Sequence, residues 1–367
     1  MPDVDVIILH RPAAPGDGPL TQLLAHARSL LAEHHDQLFR AAGATRVAVL
    51  EPELRATFGE WLADAAGRLR GGLVLLGAGA VARLSPGDAQ RLLAAAGGTG
   101  RRALTNNRHS SDVCAVAAAA VLRDVPPLPS DNALPRWLEE RAGFTVAELP
   151  GRRRLALDLD SPLDIALLAL APTAPAPLRR LARTEGLAVP RADELRALAA
   201  DPRRELLLFG RSSAATLRWL ERNVRCRVRF LAEERGLRAS SPLAIGGRPA
   251  ETTLPRARPP RASLGRLLDA RGGPAALGAA VAELADGAII DSRVLLADRL
   301  GADESAWPPP EDRFGSDLLR PDGVRDAWLA ALTRSAAERA DLPILLGGHT
   351  LVGPGVPLLL APRPRRR

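Results

Sequence analysis

An α/β fold is predicted by three observations. Short apolar runs alternate with segments of helical period, turn residues mark the changeovers, and the alternation restarts in the second half of the chain. In order, VDVIIL (4–9) is a strand, and Leu20, Leu23, Leu24, Ala27, Leu31 and Leu38 share one face of a helix. RVAVL (46–50) is a second strand, followed by a helix through Phe58, Trp61 and Leu62. GLVLLG (72–77) is a third, and SPGDAQRLLAAAG (85–97) starts a helix with Ser85 as cap and Pro86 in first position. This β-α-β-α-β-α order predicts a mostly parallel sheet covered by helices.

SDVCAVAAAAVL (111–122) fits helix or strand: its alanines favour the first, its valines the second. The turn VPPLPSDN leads into the helix ALPRWLEERAG, which Gly143 ends. FTVAEL and RLALDLD read as strands, and Ser161-Pro162 opens the helix SPLDIALLAL. APTAPAP (171–177) is the expected linker, because alternating proline and alanine neither continue a helix nor fill a core. It divides an N-terminal domain, 1–170, from a second α/β domain, 178–367, of unread role. There ELLLFG (205–210), the helix SSAATLRWLERNV and the strand CRVRFL (226–231) precede a loose segment at 241–262. Helices around Leu264–Leu268 and Ala275–Ala285 follow, and GAIIDSR and LPILLGGHT are further strands.

Composition narrows the chemistry. The chain of 367 residues has no lysine, so all 50 Lys+Arg residues are arginine. A phosphate must then be held by guanidinium forks, histidine or backbone N–H groups, and no Schiff-base lysine exists. The net charge of +8 raises nucleic acid as a partner, but the arginines are dispersed among acidic residues and aromatics are 3%, which leaves few stacking platforms. GRRR (151–154) and the terminal RPRRR are short runs, the latter read as a frayed tail. Cys114 and Cys226 lack metal-ligand spacing, and His34 and His35 point about 100° apart on a helix, which rules out a shared metal. No signal peptide or membrane span is indicated, so a cytoplasmic protein without membrane association is expected.

The polar stretch LTNNRHSSDV (104–113) is the densest cluster of candidate site residues. Together LSPGDAQRLL, LTNNRHSSDV, LPSDNALPRWLEERAGFTVAELP and LALDLDSPLDIALL resemble the nucleotidyltransferase superfamily, with its nucleotide-diphospho-sugar transferase-like fold. Within it the likeness is to phospholactate and phosphoenolpyruvate guanylyltransferases and covers roughly residues 70–170. DLDSPLD, Asp158 to Asp164, fits the Asp-x-Asp-[Ser/Thr]-Pro-x-Asp segment of that family.

The resemblance implies transfer of a nucleotidyl group from an NTP to a small phosphorylated acid, with Mg²⁺ held by Asp158, Asp160 and Asp164. Asp158 and Asp160 alternate along the expected strand, so only one of them enters a cleft. Arg108, His109 and Asp112 would carry the chemistry. Arg11, Asn106, Asn107, Ser111, Asp131, Asn132 and His349 would contact the nucleotide or phosphorylated ligand.

Two departures stand beside the likeness. HRPAAPGDGPLTQLL replaces a Gly-rich loop with lysine, and Ala80 occupies the place of a metal-binding aspartate. Three readings follow: an active transferase using replacement groups, a non-catalytic descendant that still binds its ligand, and a function carried by the second domain. For the third, FGRSS, IIDSR, EDRFGSD and LLGGHT place polar residues at strand ends. Gly347, Gly348 and His349, with Arg211 or Arg293, would there hold an anion.

Overall fold

The computed structural model describes residues 3–52, 57–69, 71–233, 260–301 and 303–361. The mixed α/β class holds, with one mostly parallel and one wholly parallel sheet. Its described residues fall into two units: residues 3–13 and 25–158, and residues 14–24, 159–233 and 260–361. The Pro/Ala segment 171–177 lies inside the second unit, with Ala171 and Ala174 buried. Most of the loose segment 241–262, and the terminal RPRRR, lie outside the described residues.

The first unit contains β1 (Val4–Leu9), most of α1 (Pro19–Ala41), β2 (Arg46–Leu50), α2 (Phe58–Ala66), β3 (Gly72–Gly77) and α3 (Pro86–Ala96). After these come β4 (Arg102–Thr105), β5 (Val113–Val116), α4 (Leu134–Glu140), β6 (Thr145–Glu148) and α5 (Arg152–Leu155). The sheet order is β2-β1-β3-β5-β4-β6, and only β5 runs against the rest. Successive side chains point to opposite faces, and both faces are covered. Val4, Val6, Ile8, Val74 and Leu76 pack with Phe39 and Leu92 on one. Ile7, Leu73, Leu75, Cys114 and Val116 pack with Leu62 and Trp137 on the other.

Two expectations change here. The ambiguous stretch 111–122 is both things in sequence: strand β5, then a 3₁₀ turn at Ala119–Asp124. RLALDLD is not a strand. Gly151, at φ +85°, opens the single turn α5, and the chain then runs extended without a ladder partner. Its alternation is real, since Leu155, Leu157 and Leu159 are buried, but the segment joins no strand of the sheet; Leu157 O accepts from Ala82 N in the loop after β3.

The second unit holds α6 (Pro162–Ala169), α7 (Ala176–Thr184), α8 (Ala192–Ala200), β7 (Glu205–Gly210), α9 (Ala214–Asn223) and β8 (Arg227–Ala232). Beyond residue 260 it continues with α10 (Ser263–Ala270), α11 (Leu277–Ala282), β9 (Ala288–Asp291), α12 (Ser292–Leu300) and α13 (Pro310–Asp317). It closes on α14 (Ala327–Glu338), β10 (Ile344–Gly347), α15 (His349–Val352) and α16 (Gly355–Leu360). All four strands are parallel, in the order β10-β9-β7-β8. Leu206, Leu208, Ile289 and Leu345 face one helical layer; Leu207, Phe209, Ile290 and Leu346 face the other. Among the described residues no helix is long and apolar enough to cross a membrane.

Candidate functional site

In open α/β sheets ligands bind outside the carboxyl ends of the strands, where the order reverses. In the first unit that place lies between β1 and β3, since the chain passes from β1 to β2 on one side and then to β3 on the other. The loop after β3, Gly77 to Leu84, is held from several directions. Ala78 N donates to Leu9 O, Ala82 N to Leu157 O, and Leu84 N to Val81 O. Val81 N donates to Asp158 Oδ1 at 3.0 Å, and Ala80 O accepts from His35 Nε2 at 3.0 Å.

Val81 sits at φ +43°, in the left-handed region that a β-branched residue rarely adopts. Backbone strain of this kind persists only where the surroundings over-determine it. His35 is fully buried, and burial pushes its pKa down to about 4, so the ring is neutral. Bonding to a carbonyl then requires the proton on Nε2.

Positive charge accumulates beside this loop. Burial, and then the nearby Arg154, lower the pKa of Arg83. Arg154 donates to Arg83 O and, at 2.7 Å, to Asp88 Oδ2, the carboxylate that completes the α3 capping box with Ser85. His10, directly after β1, meets Ser29 Oγ at 2.8 Å, and Arg11 beside it is exposed.

The polar stretch after β4 lies along the same sheet edge and is braced from within. Asn106 is buried; its Nδ2 donates to Asp112 Oδ2 at 2.6 Å and to Leu155 O, while its Oδ1 accepts from Asp112 N and Val113 N. Ser111 Oγ meets Thr105 Oγ1 at 2.9 Å. Arg108 turns toward β6, donating from Nη2 to Val146 O and from its backbone N to Glu148 Oε1, with Glu139 at 3.3 Å. Asn107 Oδ1 accepts from the backbone of the exposed His109. Ser110 Oγ donates to Asn132 Oδ1, and Asn132 N donates to Asp131 Oδ1. The stretch thus brings the buried Asn106 and Ser111 and the half-buried Asp112 into one network and holds Asn132 near it.

The three aspartates expected to hold Mg²⁺ are divided. Asp158 belongs to the first unit; Asp160 and Asp164 belong to the second. Asp164 Oδ2 accepts from Asp160 N, Ser161 N and Ser161 Oγ, as the capping box of α6. Burial, with Asp160 and Asp317 nearby, pushes its carboxyl up to about 8, which leaves it protonated near neutrality. Asp164 Oδ2 thus serves as the cap of α6 and Asp158 Oδ1 holds the backbone of Val81, and no step through a metal is derived from these residues.

In the second unit FGRSS and IIDSR do end strands, whereas EDRFGSD is helix α13 and no strand end. Arg211 donates through Nε to Oδ2 and through Nη2 to Oδ1 of the fully buried Asp291, and that Oδ1 also accepts from Arg293 N. Arg293 makes two 2.7 Å bonds to the fully buried Asp317, one guanidinium fork onto one carboxylate. His349 Nδ1 lies 3.8 Å from Asp160 Oδ2.

Sequence reading missed the roles of His35 and Val81, whereas Arg313 and Asp317 lie in the EDRFGSD motif it singled out. His35 was weighed only as a metal ligand, and a left-handed valine carries no residue-type signature. Compared with known proteins, the chain matches no family model and no curated protein.

Proposed function

We propose that the first unit binds a nucleotide or a small phosphorylated acid in the crevice outside β1 and β3, as a nucleotidyltransferase-like unit that recognises its ligand without transferring it. The observation that carries this reading is the Gly77–Leu84 loop. A left-handed Val81, pinned by Asp158 and by the buried His35, stands where the strand order reverses. Arg83, Arg154 and Arg11 supply guanidinium groups on that edge, the only cationic side chains besides histidine with which a lysine-free chain can hold phosphate. Binding is favoured over transfer because Ala80 offers no carboxylate and because Asp112 is bonded to Asn106.

The test is calorimetry with GTP, ATP and phosphoenolpyruvate, with and without Mg²⁺, alongside a pyrophosphate-release assay using NTPs and phosphorylated acids. Saturable binding, weakened roughly tenfold in Arg83→Gln by loss of a charge-assisted contact, with no pyrophosphate, is the expected result. Absence of binding to all three ligands refutes the proposal. Pyrophosphate release above that of Asp158→Ala replaces it with the active-transferase reading.

A further inference from the structure

We propose that a cavity in the second unit binds a small zwitterion with an apolar body, an apolar α-amino acid or a dipeptide of such residues. The cavity measures about 350 Å³ and lies between the first turns of α1, the end of α7 and the end of α13, all within that unit. A volume of that order holds a small organic molecule. Leu20, Leu23 and Leu187 give it an apolar wall, and each is only half-buried, so apolar surface is left uncovered there.

Two helix ends build the cavity, and they share one motif. At the end of α7, Leu187 N donates to Ala182 O and Gly186 N to Arg183 O, with Gly186 at φ +61°. At the end of α13, Arg320 N donates to Gly315 O and Leu319 N to Ser316 O, with Leu319 at φ +52°. Each pair of bonds closes a helix through one left-handed residue, and the residue after it commonly packs an apolar side chain back on the helix. Leu187 is apolar and packs on the core of the unit. At α13 the same position holds an arginine, and the residue it would pack on is Gly315, which has no side chain. Gly315 and Arg320 both line the cavity, which opens where that contact is missing.

The fold does not require this gap. A Cβ on Gly315 would meet only Val324 Cγ2 at 3.4 Å and Arg320 O at 3.7 Å, which are ordinary contacts. Alanine would strengthen the helix there, so the glycine keeps open a space at the expense of helix stability.

The charges on the rim indicate the ligand. Arg320 and Glu185 both line the cavity and are exposed; among the described residues neither side chain takes part in a hydrogen bond or ion pair, with the other or with any neighbour. Glu311, the third charged residue, is already engaged, because its two oxygens accept from Leu20 N, Thr21 N and Thr21 Oγ1. One free guanidinium and one free carboxylate beside an apolar wall complement a carboxylate, an ammonium and an apolar side chain. A simple anion would be opposed by Glu185, and a simple cation by Arg320. The guanidinium fork takes the ligand carboxylate, and Glu185 takes its ammonium. None of these residues belongs to the crevice outside β1 and β3, so the inference does not rest on the nucleotide reading.

The experiment is calorimetry on the full chain with leucine and with leucyl-leucine. The controls are 4-methylpentanoate, which lacks the ammonium, and 3-methylbutylamine, which lacks the carboxylate. Saturable binding of leucine or leucyl-leucine is expected, about tenfold or more tighter than either control, because each loses one charge-assisted contact. The tighter of the two identifies a free amino acid or a dipeptide as the ligand. Arg320→Gln and Glu185→Gln should each weaken the binding about tenfold. Both side chains are exposed and unbonded, so the two variants should melt with the wild type and respond to GTP as it does. The proposal is overturned if neither leucine nor leucyl-leucine binds, if a control with one charge binds as tightly, or if both variants bind like the wild type.

Discussion

His35 and Asp164 are each fully buried, and each is shifted away from its ordinary charge state, in opposite senses for stability. Unfolded, His35 takes up a proton near 6.5; folded, it does so only near 4. Between those values the unfolded chain binds more protons, so stability is lost as pH falls through the window, by about 3 kcal/mol at pH 4. His35→Gln, which keeps a donor for Ala80 O, should lack this dependence in urea unfolding at pH 7 and 4.5. A wild-type loss no larger than the variant's would sink the assignment. Asp164 keeps its proton to about 8 in the fold but releases it near 3.8 when unfolded. Its contribution is fully present below 3.8 and is lost as pH rises toward 8. Asp164→Asn should therefore gain stability relative to wild type between pH 4 and pH 8. An unchanged difference across that range would show that burial does not govern the group.

Only part of this is visible in residue types. Ser161 and Asp164 announce a capping box by their spacing, and the polar stretch after β4 announces a braced loop. The resemblance made Asp164 a candidate metal ligand as well, because a carboxylate at a helix start serves either role; its burial and capping bonds are what sequence does not display.

At the scale of elements, Gly210 gives a sharp test. Its φ of +123° disfavours any side chain, and a Cβ there would also collide with the Asp291 side chain. Gly272, at φ +89°, meets nothing within 4 Å. Gly272→Ala should cost roughly 1 kcal/mol from conformation alone. Gly210→Ala should cost roughly 2–4 kcal/mol, since strain and a clash combine. Equal melting shifts for the two variants would mean that Asp291 does not press on β7. The strands were legible because apolar runs such as VDVIIL and ELLLFG are continuous, as strands buried on both faces must be. The reversed β5 was not, because strand direction depends on how a connection closes. RLALDLD misled for a related reason: alternation reports which side chains are buried, and a single extended segment satisfies that without a ladder.

For the whole molecule, periodicity conveys the α/β class but not which core a segment joins. Residues 14–24 precede most of the first unit in sequence yet belong to the second. Leu20 packs into the second unit's core, and Glu311 accepts hydrogen bonds from Leu20 N, Thr21 N and Thr21 Oγ1. Nothing in the helical stripe from Leu20 to Leu38 marks that change of allegiance. A chain cut at Asp158/Leu159 therefore yields a second fragment that lacks a piece of its own core. A fragment of residues 159–367 should melt below the same unit in the intact chain, and a peptide of residues 14–24 added in trans should raise its melting temperature. Glu311→Ala in the intact chain, which strands two backbone donors, should cost about 1–3 kcal/mol. If the fragment unfolds cooperatively at the same temperature with and without the peptide, and Glu311→Ala leaves the intact chain unaffected, the first helical turn of α1 is an appendage to the second unit and no part of its core.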